Sequence, residues 1–270
     1  MNLTRHHTPQ GPRWALDGKY LPQQFSLELL LELPKDTITN LLQNLPTTEP
    51  ATGSLLPPIE VMHEVWASGV TYLRSRQARE SESVTGDVYE KVYNAERPEL
   101  FFKALGWRVA GPNMSVRIRS DSAWNVPEPE LTLVINAHRE IMGYCIGNDV
   151  SSRDIEGANP LYLPQAKIYN GSCALGPGIL LTDTAIMRDL PVYIEITRAT
   201  GIVFKGETSI SQMKRSLEEL ATHLMQEMDF PHGVFLMTGT GIVPPDDFTL
   251  HSGDTVRISI APFTLENKVA

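Results

Sequence analysis

The clearest pattern of apolar and polar positions lies between residues 131 and 146. Apolar runs at residues 131–135 and 141–146 flank a polar break at residues 137–140. Two short apolar runs joined by a four-residue polar loop are typical of an antiparallel β-hairpin. Because both runs are almost continuously apolar, the hairpin is expected to be buried.

Acidic residues stand at the two ends of this hairpin. The first run follows Pro127, Glu128, Pro129 and Glu130, and the second ends near Asp149. Pro129 excludes a helix interior and favours extended backbone, so Glu128 and Glu130 point to the same face. Glu128 and Asp149 are equidistant from the centre of the loop, and without a bulge their Cβ atoms would lie about 5 Å apart. The pattern therefore brings three carboxylates together.

Three converging carboxylates repel one another, and they hold protons unless a cation lies between their oxygens. The local sequence offers no obvious histidine or cysteine ligand. An all-oxygen donor set favours Mg²⁺, Mn²⁺ or Ca²⁺ over zinc. The alternative is a solvated strand face whose acids are paired with lysine or arginine. The position of the acids directly before a buried hairpin favours the metal site.

The rest of the pattern divides the chain into two predicted parts. Leucines at helical spacing between residues 25 and 45, interrupted by Pro34, predict two short helices, and four prolines within residues 46–58 are typical of a linker. Residues 1–60 are thus predicted to form a small N-terminal domain with its linker. Residues 61–270 show many short strands and a few helices, which predicts a mostly β main domain of the α+β class.

Two further elements are predicted in the main domain. Charged helices are expected over residues 73–83 and 88–96, separated at Gly86. A second hairpin is expected over residues 192–207, with its turn around Thr200. Most charges of the two helices are expected to form a solvated face.

The composition is that of a globular protein without nucleic-acid or membrane partners. The 270-residue chain is 41% hydrophobic, and its net charge of −9 disfavours binding to nucleic acid or to an anionic membrane. The N-terminus lacks the apolar core of a signal peptide, and no apolar run is long enough to span a bilayer. Cys145 and Cys173 fall in predicted core segments, so we expect reduced thiols in a cytoplasmic protein.

Outside the hairpin, the residues alone leave the chemistry open. The irregular, proline-containing residues 150–167 could bring Arg153 and Lys167 to the acids. The alternatives are a salt bridge for Arg153 and a surface position for Lys167. Spacing alone makes Glu99 a helix-capping or salt-bridged acid. Thr240, between two glycines, either contacts a ligand or belongs to a plain turn.

Taken together, the motifs resemble the fumarylacetoacetate hydrolase superfamily. The resemblance covers about residues 61–265 and rests on the hairpin acids, residues 147–154, Lys167 and residues 175–177. It implies a mixed β-sandwich roll, assembled as a homodimer or a higher homo-oligomer. It also implies a small-molecule 2-oxo acid as ligand and Mg²⁺ as cofactor, with Mn²⁺ and Ca²⁺ as alternatives. The implied metal ligands are Glu128, Glu130 and Asp149.

A narrower set of motifs is similar to the branch of this superfamily formed by 2-keto-3-deoxy-D-arabinonate dehydratases. These motifs lie at residues 89–93, 97–99, 101–104, 127–130, 159–167 and 238–240. The resemblance implies that Glu99 and Lys167 are catalytic, which reverses the interpretation of Glu99 from spacing alone. On this basis, Lys167 and Thr240 are expected to contact the substrate, and so are Ser68 and Gly69 at the mouth of the cleft. Arg153, from the irregular segment, is added as a further expected contact.

One loop departs from the hydrolases of the superfamily. Their early loop carries a histidine that activates the attacking water, whereas this chain has Ser75 at that position and Thr71 in place of an asparagine. A serine hydroxyl is no base near neutral pH without help from another group. Hydrolysis by that route is therefore disfavoured, while enolate chemistry on a 2-oxo acid remains open.

The predicted function is that of a Mg²⁺-dependent lyase acting on a 2-oxo acid. The expected reaction is dehydration of a 2-keto-3-deoxy sugar acid through a metal-stabilised enolate, with Lys167 or Glu99 as the base at C3. One alternative is a hydrolase, decarboxylase or tautomerase of a 2-oxo diacid or acylpyruvate. Another is a metal-dependent binding protein without turnover.

Overall fold

The chain folds into many short strands and a few helices, which the computed structural model describes for residues 1–82, 87–199 and 201–270. The strands are β1 Asn2–Thr8, β2 Gly11–Leu16, β3 Lys19–Tyr20, β4 Leu55–Leu56, β5 Glu64–Gly69, β6 Glu99–Leu105, β7 Ser115–Val116, β8 Asn125–Val126, β9 Pro129–Ile135, β10 Ile141–Asp149, β11 Ser151–Ser152, β12 Cys173–Leu181, β13 Pro191–Arg198, β14 Gly201–Ser209, β15 Val234–Met237, β16 Thr255–Ile260 and β17 Phe263–Val269. The helices are α1 Leu27–Leu31, α2 Lys35–Asn44, α3 Leu73–Glu82, α4 Asp87–Asn94, α5 Arg153–Ala158, α6 Leu163–Lys167, α7 Thr184–Met187 and α8 Leu217–Leu224. Among these helices, none has both the length and the apolar character needed to cross a bilayer. The predicted helix end at Ser83, the break at Gly86 and the turn residue Thr200 lie outside the described residues.

Two sheets form the body of the fold. The larger sheet has the strand order β3-β2-β1-β12-β10-β9-β15-β5-β6, with β4 paired to β1, and its β15 and β5 run parallel. The smaller sheet has the order β14-β13-β16-β17-β7, and its β17 and β7 run parallel. The predicted fold class, a mostly β protein of the α+β class with mixed sheets, is confirmed.

Both faces of the larger sheet are covered. On β9, Leu131 packs in one core with residues of the smaller sheet such as Ile258. Val134 points to the opposite face and belongs to a second core with Leu31 of α1. Because side chains alternate along a strand, Glu130 lies on the same face as Val134, away from the smaller sheet. The acids of the hairpin therefore stand at the end of the second core.

The hairpin of β9 and β10 has a different loop from the predicted one. The loop contains five residues, 136–140, and not four. The Asn136 side chain accepts hydrogen bonds from the N–H groups of His138 at 3.1 Å and Glu140 at 2.8 Å, and Arg139 has a φ of +67°. These local bonds close a wider turn than the hydrophobic pattern indicates.

A bulge next to this turn restores the predicted pairing. The register shifts by one residue between Ile141 and Gly143, which offsets the extra loop residue. Glu128 therefore faces Asp149, as predicted. Glu128 N donates to Asp149 O at 3.2 Å, and Asp149 N donates to Glu128 O at 3.0 Å.

The first sixty residues share the larger sheet with the rest of the chain. β1 pairs with β12 on one side and with β2 on the other, and β4, which lies within the predicted linker, also pairs with β1. The two predicted helices on either side of Pro34 are present as α1 and α2. The division of the chain into two domains at residue 60 stays a prediction.

Candidate active site

Three buried carboxylates meet at the open end of the β9–β10 hairpin. Glu128 directly precedes β9, Glu130 is the second residue of β9, and Asp149 ends β10. All three side chains are buried, and one carboxylate oxygen from each lies within 4.8 Å of the others. The structure therefore shows the convergence of acids that the alternation pattern predicts, and we call these residues the acidic triad.

Glu130 has electrostatic surroundings that disfavour its charged form. Burial raises the pKa of Glu130 well above its ordinary value, and the negative charges of Asp149 and Glu128 add to this effect. The charge of Lys167 lowers the same pKa but does not offset the burial. The Gly239 N–H donates to Glu130 Oε2 at 2.5 Å, so the carboxylate depends on a backbone group for its hydrogen bond.

Glu128 is surrounded by cations. Lys167 Nζ lies 2.6 Å from Glu128 Oε2, while Arg153 Nη2 and Arg79 Nη2 lie 2.8 and 3.2 Å from Oε1. Burial opposes ionisation, but these three positive charges outweigh it and hold the pKa of Glu128 well below its usual range. The pKa values of two glutamates on one strand face are therefore shifted in opposite directions.

Lys167 lies at the last position of α6 and points into the triad. Its ammonium group donates to Glu128, to Asp149 Oδ2 at 3.0 Å and to Ser151 Oγ at 2.6 Å. The ring centroid of Phe101 lies 5.5 Å from the nitrogen. The lysine is almost fully buried, at 1% exposure, so the alternative of a surface lysine is wrong.

Glu99 enters the site from the edge strand of the larger sheet. It begins β6, where its backbone pairs with Gly69 of β5. A side chain at position 69 would collide with Glu99 Oε2, so the glycine leaves room for the carboxylate. Burial raises the pKa of Glu99, and the positive charges of Arg79 and Lys167 do not offset it. Glu99 thus belongs electrostatically to the same site as the triad.

A cavity of about 240 Å³ lies beside Glu99. It is enclosed by α4, by the residues before β6 and by the start of α6, with Tyr89, Val92 and Leu163 among its lining residues. Glu99 therefore lines a cavity and also interacts electrostatically with the acids of the triad.

The other predicted substrate contacts lie around these groups in different ways. Ser68 precedes Gly69 at the end of β5, and its hydroxyl is buried without a hydrogen-bond partner among the described residues. Thr240 follows the glycine that binds Glu130, and its hydroxyl donates to Ile242 O at 3.2 Å. Arg153 is directed at Glu128, as the salt-bridge alternative anticipates. Contacts of these residues with a substrate stay predictions.

In the loop that departs from the hydrolases, the hydroxyl groups of Ser75 and Thr71 both form hydrogen bonds with main-chain groups. Ser75 Oγ donates to Tyr72 O at 2.8 Å and accepts from Tyr72 N at 3.2 Å, at the start of α3. Thr71 Oγ1 donates to Thr238 O at 2.7 Å. Ser75 therefore stabilises a helix terminus, and its hydroxyl has no carboxylate or imidazole partner in these bonds to make it a base.

Four polar residues of the site were not predicted from the sequence: Arg79, Lys103, Ser151 and Glu156. Arg79 is an exception to the prediction that most charges of α3 form a solvated face, because it is 8% exposed and pairs with Glu128 and Glu156. Lys103 is fully buried, with Nζ 2.5 Å from Asp149 Oδ1. A sequence signal for Lys103 does exist, because it lies on β6 at an even spacing from Glu99 and so shares its strand face.

The fold and this site define a known class of protein. Residues 64–270 match the family model described as fumarylacetoacetate (FAA) hydrolase C-terminal, which is more than half of the chain. The chain therefore belongs to the fumarylacetoacetate hydrolase family, and the resemblance inferred from the motifs is confirmed.

Two relatives of this chain are named as sugar-acid dehydratases. A probable 2-keto-3-deoxyxylonate dehydratase of Haloferax volcanii is 45% identical over 208 residues, which are 76% of this chain and 72% of that protein. A 2-dehydro-3-deoxy-D-arabinonate dehydratase of Saccharolobus solfataricus is 43% identical over 203 residues, 73% of this chain and 68% of that protein. A solved structure of 2-keto-3-deoxy-D-arabinonate dehydratase complexed with magnesium and 2,5-dioxopentanoate has a TM-score of 0.84 and 34% identity, covering 100% of this chain and 98% of that chain.

Proposed function

We propose that this protein is a divalent-metal-dependent hydro-lyase that removes water from a 2-keto-3-deoxy sugar acid. The observation that carries the proposal is a single buried site in which the acidic triad adjoins Lys167 and Glu99. The two relatives named as dehydratases of such acids support the substrate class.

The acidic triad fits Mg²⁺ as its cofactor. Carboxylate oxygens are the ligands that Mg²⁺ prefers, and the triad offers three from buried side chains. Glu130 is hard to ionise beside two other acids unless further positive charge is supplied. Glu128, Glu130 and Asp149 would hold the ion, and Mn²⁺ or Ca²⁺ would suit the same donors. When bound, the metal supplies Lewis-acid polarisation of the 2-oxo group of the substrate.

Glu99 is the residue that we propose for proton transfer. Its raised pKa and its position beside the cavity suit a carboxylate that takes the proton from C3 of the substrate. The same carboxyl group can return that proton to the hydroxyl on C4, which leaves as water when the C4–O bond breaks. Loss of this water from a five-carbon acid gives a 3,4-unsaturated 5-hydroxy-2-oxo acid. Tautomerisation, in which C5 and its hydroxyl each lose a hydrogen while C3 and C4 each gain one, turns this acid into 2,5-dioxopentanoate, the compound bound in the related structure.

Lys167 is proposed to bind and orient the substrate. Its ammonium group already donates hydrogen bonds to two triad carboxylates, so it can donate to the carboxylate or 2-oxo oxygen of an anionic substrate in the same place. Ser68, Gly69, Arg153 and Thr240 are the further proposed contacts around it. Assembly as a homo-oligomer and a cytoplasmic location stay predictions.

Parallel assays with Mg²⁺ test the proposal. A 2-keto-3-deoxy pentonate, oxaloacetate and an acylpyruvate would be followed for a semialdehyde, CO₂ and a cleaved acid, respectively. Formation of the semialdehyde alone supports the dehydratase. Turnover of either other substrate supports a decarboxylase or hydrolase, and Mg²⁺-dependent binding of the pentonate without turnover supports a binding protein.

The role of Glu99 is tested with Glu99→Gln. This variant is expected to lose about 10²- to 10⁴-fold in kcat, because it lacks the group that exchanges protons with C3. Its Mg²⁺ affinity, measured by titration calorimetry, is expected to be unchanged. Glu96→Gln, at an exposed position three residues earlier, is the matched control and should keep full activity. A fully active Glu99→Gln variant would contradict the assignment.

A further inference from the structure

Asp149 is held between two buried lysines. Lys103 Nζ lies 2.5 Å from Asp149 Oδ1, and Lys167 Nζ lies 3.0 Å from Oδ2. Lys103 is 0% exposed and Lys167 is 1% exposed. An ammonium group has three N–H donors, so the hydrogen bonds of each lysine show what else it holds in place.

The other bonds of Lys103 go to the main chain. Its ammonium group donates to Val150 O at 3.1 Å and to Lys167 O at 2.5 Å. Lys103 is on β6, which is four places from β10 in the strand order of the larger sheet. The larger sheet therefore curls so that its edge strand, β6, meets the end of β10. Lys103 bonds this edge strand to Lys167, the last residue of α6.

The bonds of Lys167 go to side chains only. Besides Asp149, its ammonium group donates to Glu128 Oε2 and Ser151 Oγ. Two of its three partners are thus members of the acidic triad. A divalent cation bound to the triad would draw on the same two carboxylates, and two neighbouring cations repel each other in a buried site.

From this contrast we infer that the two lysines have different tasks: Lys103 is a fixed positioning residue for Asp149 and for the end of α6, and Lys167 is an exchangeable counter-ion that gives up its bonds to Glu128 and Asp149 when a divalent cation binds the triad. This inference rests on the proposed metal site. It links metal binding to the release of the Lys167 ammonium group, which then becomes available to the substrate.

The inference is tested with Lys167→Met and Lys103→Met, using Mg²⁺ titration calorimetry and thermal unfolding in EDTA and in Mg²⁺. Lys167→Met is expected to bind Mg²⁺ at least about tenfold more tightly than the unmodified protein, because a competing charge is gone. Its Tm in EDTA should fall, since the triad loses a counter-ion, and Mg²⁺ should restore it. Lys205→Met, at an exposed position, is the control for loss of one positive charge and should leave the Mg²⁺ affinity unchanged.

Lys103→Met is expected to respond differently to Mg²⁺. Its Tm should fall, and Mg²⁺ should not restore it, because an ion on the triad does not replace the bonds to Val150 O and Lys167 O. Its KM for the substrate should rise, since Lys167, the proposed substrate contact, is misplaced when Lys103 no longer holds the end of α6. Recovery of Lys103→Met by Mg²⁺ to the Tm of the unmodified protein would overturn its role as a fixed positioning residue.

The outcomes also separate this inference from the proposed function. If the unmodified protein binds no Mg²⁺, the proposed metal site is wrong. If it binds Mg²⁺ and Lys167→Met binds no more tightly, the exchange alone is wrong. If Lys167→Met is unfolded in EDTA, the quantity to measure is the Mg²⁺ concentration that restores its fold. If Mg²⁺ does not restore the fold, the inference that Mg²⁺ replaces the Lys167 ammonium group is overturned.

Discussion

At the scale of single residues, Glu128 and Glu130 show how two identical side chains on one strand face take opposite electrostatic states. Glu128 is ion-paired with Lys167 and Arg153. Glu130 accepts a backbone N–H, and burial beside two acids raises its pKa. The first carboxylate stabilises the site without a metal, whereas the second is costly until a cation is added.

This difference predicts opposite effects of two isosteric substitutions in metal-free buffer. Glu128→Gln is expected to destabilise the protein by about 3–5 kcal/mol, because it leaves buried cations without their counter-ion. Glu130→Gln is expected to leave the free energy of unfolding unchanged or to raise it, because it removes a repelled charge. Urea unfolding in EDTA measures both values, and Mg²⁺ titration should show weaker binding for both variants. Equal destabilisation by the two substitutions would contradict this reading of the triad.

At the scale of elements, the ends of β5 and β6 decide where Glu99 lies. Gly69 and Glu99 are cross-strand partners, and the space above the glycine is filled by the glutamate side chain. The acidic triad is carried by β9, β10 and the residue before β9. The residues proposed for proton transfer and for metal binding thus lie on separate elements of one sheet.

Gly69→Ala tests this separation. The added methyl group should displace the Glu99 carboxylate and reduce kcat by about 10²-fold, since small misplacements of a catalytic group are costly. The Mg²⁺ affinity should stay unchanged because the triad is not touched. Gly201→Ala, where a Cβ meets nothing within 4 Å, is the control for the glycine substitution. Loss of Mg²⁺ binding in Gly69→Ala would show that the two functions are not separable.

At the scale of the whole molecule, the first sixty residues complete the sheet and one of its cores. β1 pairs with β12, and Leu3, Trp14 and Leu31 lie in the same core as Val134 and Phe235. Removal of these residues would expose an edge strand and a large apolar surface.

The fragment of residues 61–270 is therefore expected not to fold into a cooperative unit. Calorimetry should show no cooperative unfolding transition, and the fragment should bind the dye ANS through its exposed core. The full chain under the same conditions is the control. A cooperative transition in the fragment would instead support the predicted separate N-terminal domain.

His63 is expected to give the whole molecule a pH-dependent stability. Burial lowers the pKa of His63 to about 4, and its Nδ1 accepts the Glu60 N–H at 3.0 Å. The unfolded chain binds a proton near pH 6.5 and the folded chain does so only near pH 4, so stability falls as the pH drops through this window. The expected loss is on the order of 3 kcal/mol.

Urea unfolding between pH 7 and pH 4 measures this loss. His63→Gln keeps an acceptor but does not titrate, so it should flatten the profile between about pH 6.5 and pH 4. His7→Gln, at an exposed position, should leave the profile as it is. A profile that His63→Gln does not alter would assign the pH dependence to other groups.

The sequence by itself determined the hairpin, the shared face of Glu128 and Glu130 and the meeting of both with Asp149. These features follow from the two-residue period of a strand and from a short connection, which are local properties of the chain. Even here, the loop length was wrong, because the bonds of Asn136 close a five-residue turn whose extra residue a bulge then offsets. Resemblance to a family, and not spacing, indicated Glu99.

Only the tertiary structure decided which cations surround these acids. Lys103 reaches Asp149 because a long sheet curls back on itself, and Arg79 reaches Glu128 from a helix whose charged pattern is that of a solvated face. The pairing of β1 with β12 likewise joins residues more than 170 positions apart. Such contacts depend on how whole elements pack, which the local periodicity of a chain does not encode.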